Sequence, residues 1–286
     1  MQGCLNFGFA MSGVKGTIMR QVLWSWLSVF ALGMGISGVL TSRVEAAAPA
    51  TAPDELLNTL AAIEAAANSQ DLEQVMEFYS PAFSSDTGFD HDQLRQTLET
   101  LWDQYNTLTY EIELLSWEAD GPNGYTIETI TRVEGTKIRP ERRLTLISEI
   151  ESRQQIEAGQ IMSQATLSEN SQITSGDNPP ELMVQLPETV NPGETYAFDA
   201  IVMEPLEGRS LMGVANEEGV TAEDFFDPRP VVLNVLSAGG LYKIGEAPDN
   251  SDQRWVSAVI IREDGFVVDT RRMQVTDSPT PESPAE

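Results

Sequence analysis

Carboxylates set at alternate residues of strand-like segments are the groups in this sequence best suited to moving a proton. Glu111 with Glu113, Glu128, and Glu149 with Glu151 fall on stretches where apolar and polar residues alternate. Within each pair the two side chains therefore share one face of a strand. Glu128 and Arg132 also share a face, and an acid beside a guanidinium is an arrangement that orients a ligand or steadies a base. The same alternation suits the solvated face of a one-sided sheet, which is the reading for most of these acids. The one histidine, His91, follows Phe89-Asp90. Asp90 reads as a helix N-cap, which puts His91 in a first turn at the surface. No spacing assembles an acid, a base and an oxyanion donor.

Around those groups lie aromatic residues with polar tips: Tyr79, Trp102, Tyr105, Tyr110, Trp117 and Tyr125. Such rings line ligand pockets, and they also fill the layer between helices and a sheet. The ligand-pocket candidates are Tyr79, Trp102, Tyr105, Trp117, Glu128 and Arg132. An acidic stretch, NEEGVTAEDFFDPRP, holds Glu217, Glu218, Glu223, Asp224 and Asp227. Hard cations take such oxygens, but the spacing matches no cation loop, so a solvated loop is expected, with no metal and no cofactor.

The elements that must position these side chains change period part-way along. Pro53-Asp54-Glu55 suits a helix start, and Leu56, Leu57, Leu60, Ile63, Ala66 and Ala67 recur at helical spacing. DLEQVMEFYSPAF predicts a second short helix from Asp71, stopping at Ser80-Pro81. A third runs from about Asp90 to Asn106. Period two then takes over at Thr109 to Glu118, Tyr125 to Val133, Arg142 to Ile156 and Gln160 to Ser168, with hairpin signals at Asp120 to Gly124 and at Ala158-Gly159.

Three helices followed by a long antiparallel sheet give an α+β layout. This order, with DLEQVMEFYSPAF, RRLTLISEIESRQQIEAG and QIMSQATLSE, resembles the nuclear transport factor 2-like superfamily, in its polyketide-cyclase-like branch, over about 54–172. The resemblance implies a cone of three helices on a curved antiparallel sheet that wraps a pocket. It also implies that catalytic members would place an Asp or His base in that pocket, and that relatives dimerise through the open sheet face.

From 173 to 180 a polar Gly/Pro segment predicts a linker. Short strands separated by turns follow over 181–276, which reads as an all-β sandwich-like domain. PETVNPGETYAFDAIV resembles the early strands of immunoglobulin-like domains over roughly two strands. DSPTPESPAE, from 277 to 286, predicts a disordered tail.

At the other end, Lys15 and Arg20 precede an uncharged apolar run, Val22 to Leu40. Small residues follow, with signal-peptidase spacing at Val44-Glu45-Ala46 and at Ala46-Ala47-Ala48. The first 48 residues read as a signal peptide for the general secretory route, with an uncleaved membrane anchor as the other reading. Export leads to the periplasm or an equivalent space such as a thylakoid lumen. The true start is Met1, Met11 or Met19.

The net charge is −27, from 17 basic and 44 acidic residues. Such a surface repels phosphate backbones and anionic lipid, so nucleic-acid binding is excluded. The lone Cys4 lies in the signal, so the mature chain has no thiol chemistry. The expected function is an exported, non-catalytic binding or scaffold module of the bacterial envelope, its cone taking a small ligand or an envelope protein. The alternatives are an isomerase- or cyclase-type enzyme using a pocket carboxylate, and a structural homodimer. Any contact with a membrane would run through an uncleaved signal.

Overall fold

The computed structural model describes residues 46–140, 142–206, 208–220, 231–236 and 239–277. All of the expected export signal except Ala46, Ala47 and Ala48, most of the acidic loop and all but the first residue of the tail lie outside the described residues. No helix among the described residues is long and apolar enough to cross a membrane. Among the described residues the chain is mostly β-sheet, with three α-helices.

Helix α1 (Asp54–Asn68) starts behind Pro53 with two acids in its first turn, where they complement the helix dipole. It buries Leu56, Leu60, Ile63, Ala66 and Ala67. Helix α2 (Leu72–Glu77) is capped by the Asp71 side chain, which accepts from Gln74 N. It is shorter than expected. The residues after it form strand β1 (Tyr79–Ser85) instead of a helix end. Pro81 is compatible with that strand because β1 pairs on one side only, with an irregular register between Tyr79 and Ser84. Helix α3 (His91–Gln104) opens on a capping box: Gln93 N donates to Asp90 Oδ1 at 2.9 Å and Asp90 N donates to Gln93 Oε1 at 3.0 Å.

Four long strands follow: β2 (Thr107–Ala119), β3 (Gly124–Arg139), β4 (Arg142–Glu157) and β5 (Gln160–Gly176). The β4–β5 turn is two residues, Ala158 and Gly159, both with positive φ, as a tight primed hairpin requires. Of the odd-numbered residues of β3, Ile127, Thr129, Val133, Gly135 and Lys137 are buried, with Ile127 and Thr129 nearly inaccessible, while even-numbered Glu128, Ile130, Arg132 and Glu134 lie on the opposite face. Helices first and then four long antiparallel strands is the order of elements that the cone resemblance implies.

The remaining strands are β6 (Leu182–Gln185), β7 (Thr189–Val190), β8 (Thr195–Val202), β9 (Leu211–Gly219), β10 (Asn234–Leu236), β11 (Gly240–Glu246), β12 (Asp252–Arg262) and β13 (Gly265–Val275). They do not form a body separated from the first by a linker. Strand β5 runs on to Gly176, past the expected strand end at Ser168 and into the predicted linker. Its last seven residues pair with β13, from Gly265↔Gly176 to Arg271↔Asn170. One sheet therefore runs β10-β9-β12-β13-β5-β4-β3-β2, with β1 on the first half of β5 and β13 on its second. A second sheet, β11-β8-β6, faces it across a core of Tyr196, Phe198, Ala200, Leu211, Val256, Ile260, Val267 and Met273. Gly245 lies beside that core, where a Cβ would run into the buried Tyr196 ring.

Strand β2 is one end of the large sheet, and its unpaired edge is covered piecemeal. Asn68 at the end of α1 imitates a strand residue, accepting from Tyr110 N at 2.7 Å and donating to Tyr110 O at 2.8 Å. Glu64 accepts from Ile112 N at 2.8 Å. Ala47 exchanges backbone bonds with Trp117. Such covering keeps an edge from templating another chain.

Candidate functional site

The register assigns every strand residue to one of two faces. On the face of β2–β4 turned away from the helices lie Glu113, Ser116, Glu128, Arg132, Glu149, Glu151 and Arg153. Glu128 and Arg132 share that face, as expected, but do not pair with each other. Glu128 accepts from Arg153 Nη2 at 2.6 Å and from Ser116 Oγ at 3.2 Å. Arg132 bridges Glu113 at 2.8 Å and Glu149 at 3.0 Å. The pair therefore lies on the face away from the helices, and the isomerase-type reading loses the carboxylate it required. The physical reason is the pleat: Ile127 and Thr129 are buried against the helices, so Glu128 between them must face the other way. Ser116, Glu118, Glu128 and Arg153 line an outer cleft of about 360 Å³ together with Ala46.

The aromatic candidates lie on the inner side, and each has a packing partner. Trp102 Nε1 donates to Tyr110 Oη at 2.8 Å. The Tyr105 ring lies over Gly135 and under the Lys137 ammonium, 5.6 Å from its centroid. Burial pushes the Tyr79 hydroxyl up to about 12, and its ring meets Phe83 edge-on. Trp117 meets Tyr125 edge-on and its Nε1 donates to Thr51 Oγ1 at 3.2 Å. A small, partly open pocket of about 30 Å³ beside Tyr125, Leu56 and Ile156 has room for one water. His91 sits in the first turn of α3, its Nδ1 3.5 Å from Asp92.

The same inner face holds a polar belt. Across β3, β4 and β5 run Thr129 with Ser152 and Thr166, Thr131 with Ile150 and Glu169, and Val133 with Ser148 and Ser171. Ser148 and Ser171 share a hydroxyl bond at 2.7 Å, and Gln154 donates to Gln164 Oε1 at 2.9 Å. Helix α3 lies on this side, with Leu94, Leu98, Leu101 and Trp102 against the two clusters that include Ile127, Val133 and Leu146. None of those helix residues is fully buried.

Beyond β5 the belt continues into a charged knot. Glu169 Oε2 accepts from Arg272 Nη2 at 2.7 Å, from Arg272 Nε at 3.0 Å and from Trp255 Nε1 at 3.0 Å. Arg272 Nη1 donates to Gln253 Oε1 at 2.6 Å, and Gln253 Nε2 donates to Asp86 Oδ2 at 2.7 Å. The Arg272 side chain is 7% exposed and Glu169 15%. These five residues come from β5, β12, β13 and the segment before α3, so the knot ties the two halves of the large sheet together. Sequence reasoning weighed Asp86 only within an acidic run, as a cation-site candidate against a solvated loop, and placed none of the other four in a site. The available signal was Arg272 at a strand position beside Met273 and Val275, where a buried arginine is tolerated only with a partner.

Residues 177–276 match a family described as a domain of unknown function (DUF8623). The match begins one residue after β5 ends and takes in β6 through β13, so it contains Gln253, Trp255 and Arg272 but neither Glu169 nor Asp86. A comparison with curated proteins finds no match. Among solved structures, the chain is similar to a putative scytalone dehydratase from Novosphingobium aromaticivorans DSM 12444, at 11% identity over 39% of this chain and 80% of that one, with a TM-score of 0.32. It is also similar to a variant of Rv3472, a protein of unknown function from Mycobacterium tuberculosis, at 19% identity over 39% and 68%, TM-score 0.30. A third is AusH from Aspergillus nidulans, at 18% identity over 40% and 84%, TM-score 0.30. Among the described residues no cluster of three His, Cys, Asp or Glu side chains is placed to hold a metal.

Proposed function

We propose that the protein is an exported, non-catalytic binding module of the bacterial envelope, and that its ligand surface is the polar belt on the concave face beneath α3. One observation carries this. On the concave face of β2 to β5 the hydrogen-bonding side chains are chiefly neutral hydroxyls and amides, and the one carboxylate there, Glu169, is already held by Arg272 and Trp255. That carboxylate already accepts three hydrogen bonds on Oε2, whereas Thr131, Ser148, Ser171 and Gln164 carry hydroxyl and amide groups that can donate and accept without moving a proton. Opposite them α3 presents an apolar stripe. The matching ligand is a small neutral molecule, polar on one side and apolar on the other.

The test is native mass spectrometry of the mature protein purified from its exported compartment. The expected result is a reproducible small-molecule adduct that survives buffer exchange and is lost in Ile150→Trp, which fills the belt from β4. Bare apo masses in both proteins, or an adduct indifferent to Ile150→Trp, overturn the assignment of the surface.

A further inference from the structure

Two residues in the expected signal region could follow the cut, and the structure distinguishes them. The spacing rule is satisfied by a cut after Ala46, with Val44 and Ala46 as the small residues, and by a cut after Ala48, with Ala46 and Ala48. Ala47 is part of the fold. Its N–H donates to Trp117 O at 2.9 Å, and its carbonyl accepts from Trp117 N at 3.3 Å. That is a full antiparallel rung on the otherwise unpaired edge of β2. Behind it Pro49–Thr51 forms a single 3₁₀ turn, and Thr51 accepts from the Trp117 indole. A cut after Ala48 would remove the rung and leave both Trp117 backbone groups open on the edge.

A second, independent feature disfavours the later cut. The residue after Ala48 is Pro49, so that bond is a tertiary amide, whose nitrogen carries no hydrogen and is hindered by the ring. The Ala46–Ala47 bond is an ordinary secondary amide. The cleft is the third feature. Ala46 lines it beside Glu118 and Glu128, with Arg153 as the facing cation. Hydrolysis of the Ala46–Ala47 bond adds one water, leaving a carboxylate on Ala46, which departs with the leader, and an amine on Ala47. That amine takes up a proton at neutral pH. The new positive end then lies where Ala46 was joined, at the margin of a cleft with two carboxylates, an arrangement that favours the charged amine.

We propose that export processing cuts between Ala46 and Ala47, and that the new N-terminal residue completes the covering of the β2 edge. This rests on the export reading given above. The cut precedes folding, while the leader is still extended at the membrane, and the rung forms afterwards.

The experiment is to express the full chain in a host with a general secretory route, recover the exported protein, and determine its intact mass and N-terminal sequence. The expected chain begins at Ala47. A chain beginning at Pro49, or at any other residue, overturns the inference and leaves export standing. A full-length chain retained in the cytosol overturns both. A second measurement addresses the structural half: thermal unfolding of mature chains made to begin at Ala47 and at Pro49. The chain lacking the rung should melt a few degrees lower, roughly 2–6 °C for one or two lost edge bonds. Equal melting temperatures show that the rung contributes nothing and overturn that half.

Discussion

Replacing Arg272 by methionine removes the cation from the knot between β5, β12 and β13 while keeping much of the side-chain length. The variant loses both Arg272 bonds to Glu169 Oε2 and the bond to Gln253. Glu169 is then left with the Trp255 indole alone, in a site where its side chain is 15% exposed. Removing one member of a buried ion pair costs about 3–5 kcal/mol, because the other charge stays desolvated. Partial access of water to Glu169 lowers the expectation to about 2–4 kcal/mol. A urea titration read by tryptophan fluorescence should show the midpoint falling with the slope unchanged. The decisive control is the double variant Glu169→Leu, Arg272→Met, which removes the stranded charge. It should recover most of the loss, giving a coupling of about 2 kcal/mol. A single variant that loses less than about 1 kcal/mol, or a double variant as unstable as the two singles added together, would refute the claim that the knot holds the halves through a buried charge pair.

Three further outcomes follow from the same structure. Because β5 pairs with both β4 and β13, thermal unfolding should be one transition, with far-ultraviolet and tryptophan signals coinciding; two separated transitions would show that the halves fold independently. Asn68→Ala strips both bonds from Tyr110 and opens the β2 edge, so stability should fall by about 1–2 kcal/mol in chemical denaturation and light scattering on heating should start earlier. Burial raises the hydroxyls of Tyr79, to about 12, and of Tyr105 and Tyr110, the last opposed by its bond from Trp102. The unfolded chain therefore releases these protons first. Stability should be intact below about pH 10 and decline as pH climbs towards 12, by up to about 1.4 kcal/mol per pH unit for each group, with tyrosinate absorbance appearing late. A tyrosinate titration centred at the free value with no loss of stability would contradict that burial.

The helices and four cone strands were legible because each has one dry face and one wet one. Leu56, Leu60 and Ile63 recur at helical spacing, and Ile127 and Val133 alternate with Glu128 and Arg132. The outward direction of most of the acids was legible for the same reason. Strand β1 was hidden because Ser80-Pro81 ends a helix and equally begins a one-sided parallel strand, a choice settled by β5 some eighty residues away. The end of β5 was hidden for a different reason. Ser171, Ile173 and Ser175 face the belt, while Gln172 and Thr174 face the other way, where Gln172 donates to Asp269 at 3.3 Å. Both faces are polar, so no period-two contrast appears and SQITSG looks like a linker. That polarity follows from the position of the segment as the seam between two halves, each of which presents hydrogen-bonding side chains to it. Glu169 and Arg272 were illegible singly because each is a buried charge that makes sense only beside the other, 103 residues away in the chain. A seam of this kind, polar on both faces and locked by one ion pair, makes β5 the strand that joins β2–β4 to β12 and β13 in one sheet. Ser171 contributes to the belt on that strand and Glu169 to the lock, two residues apart on the same face.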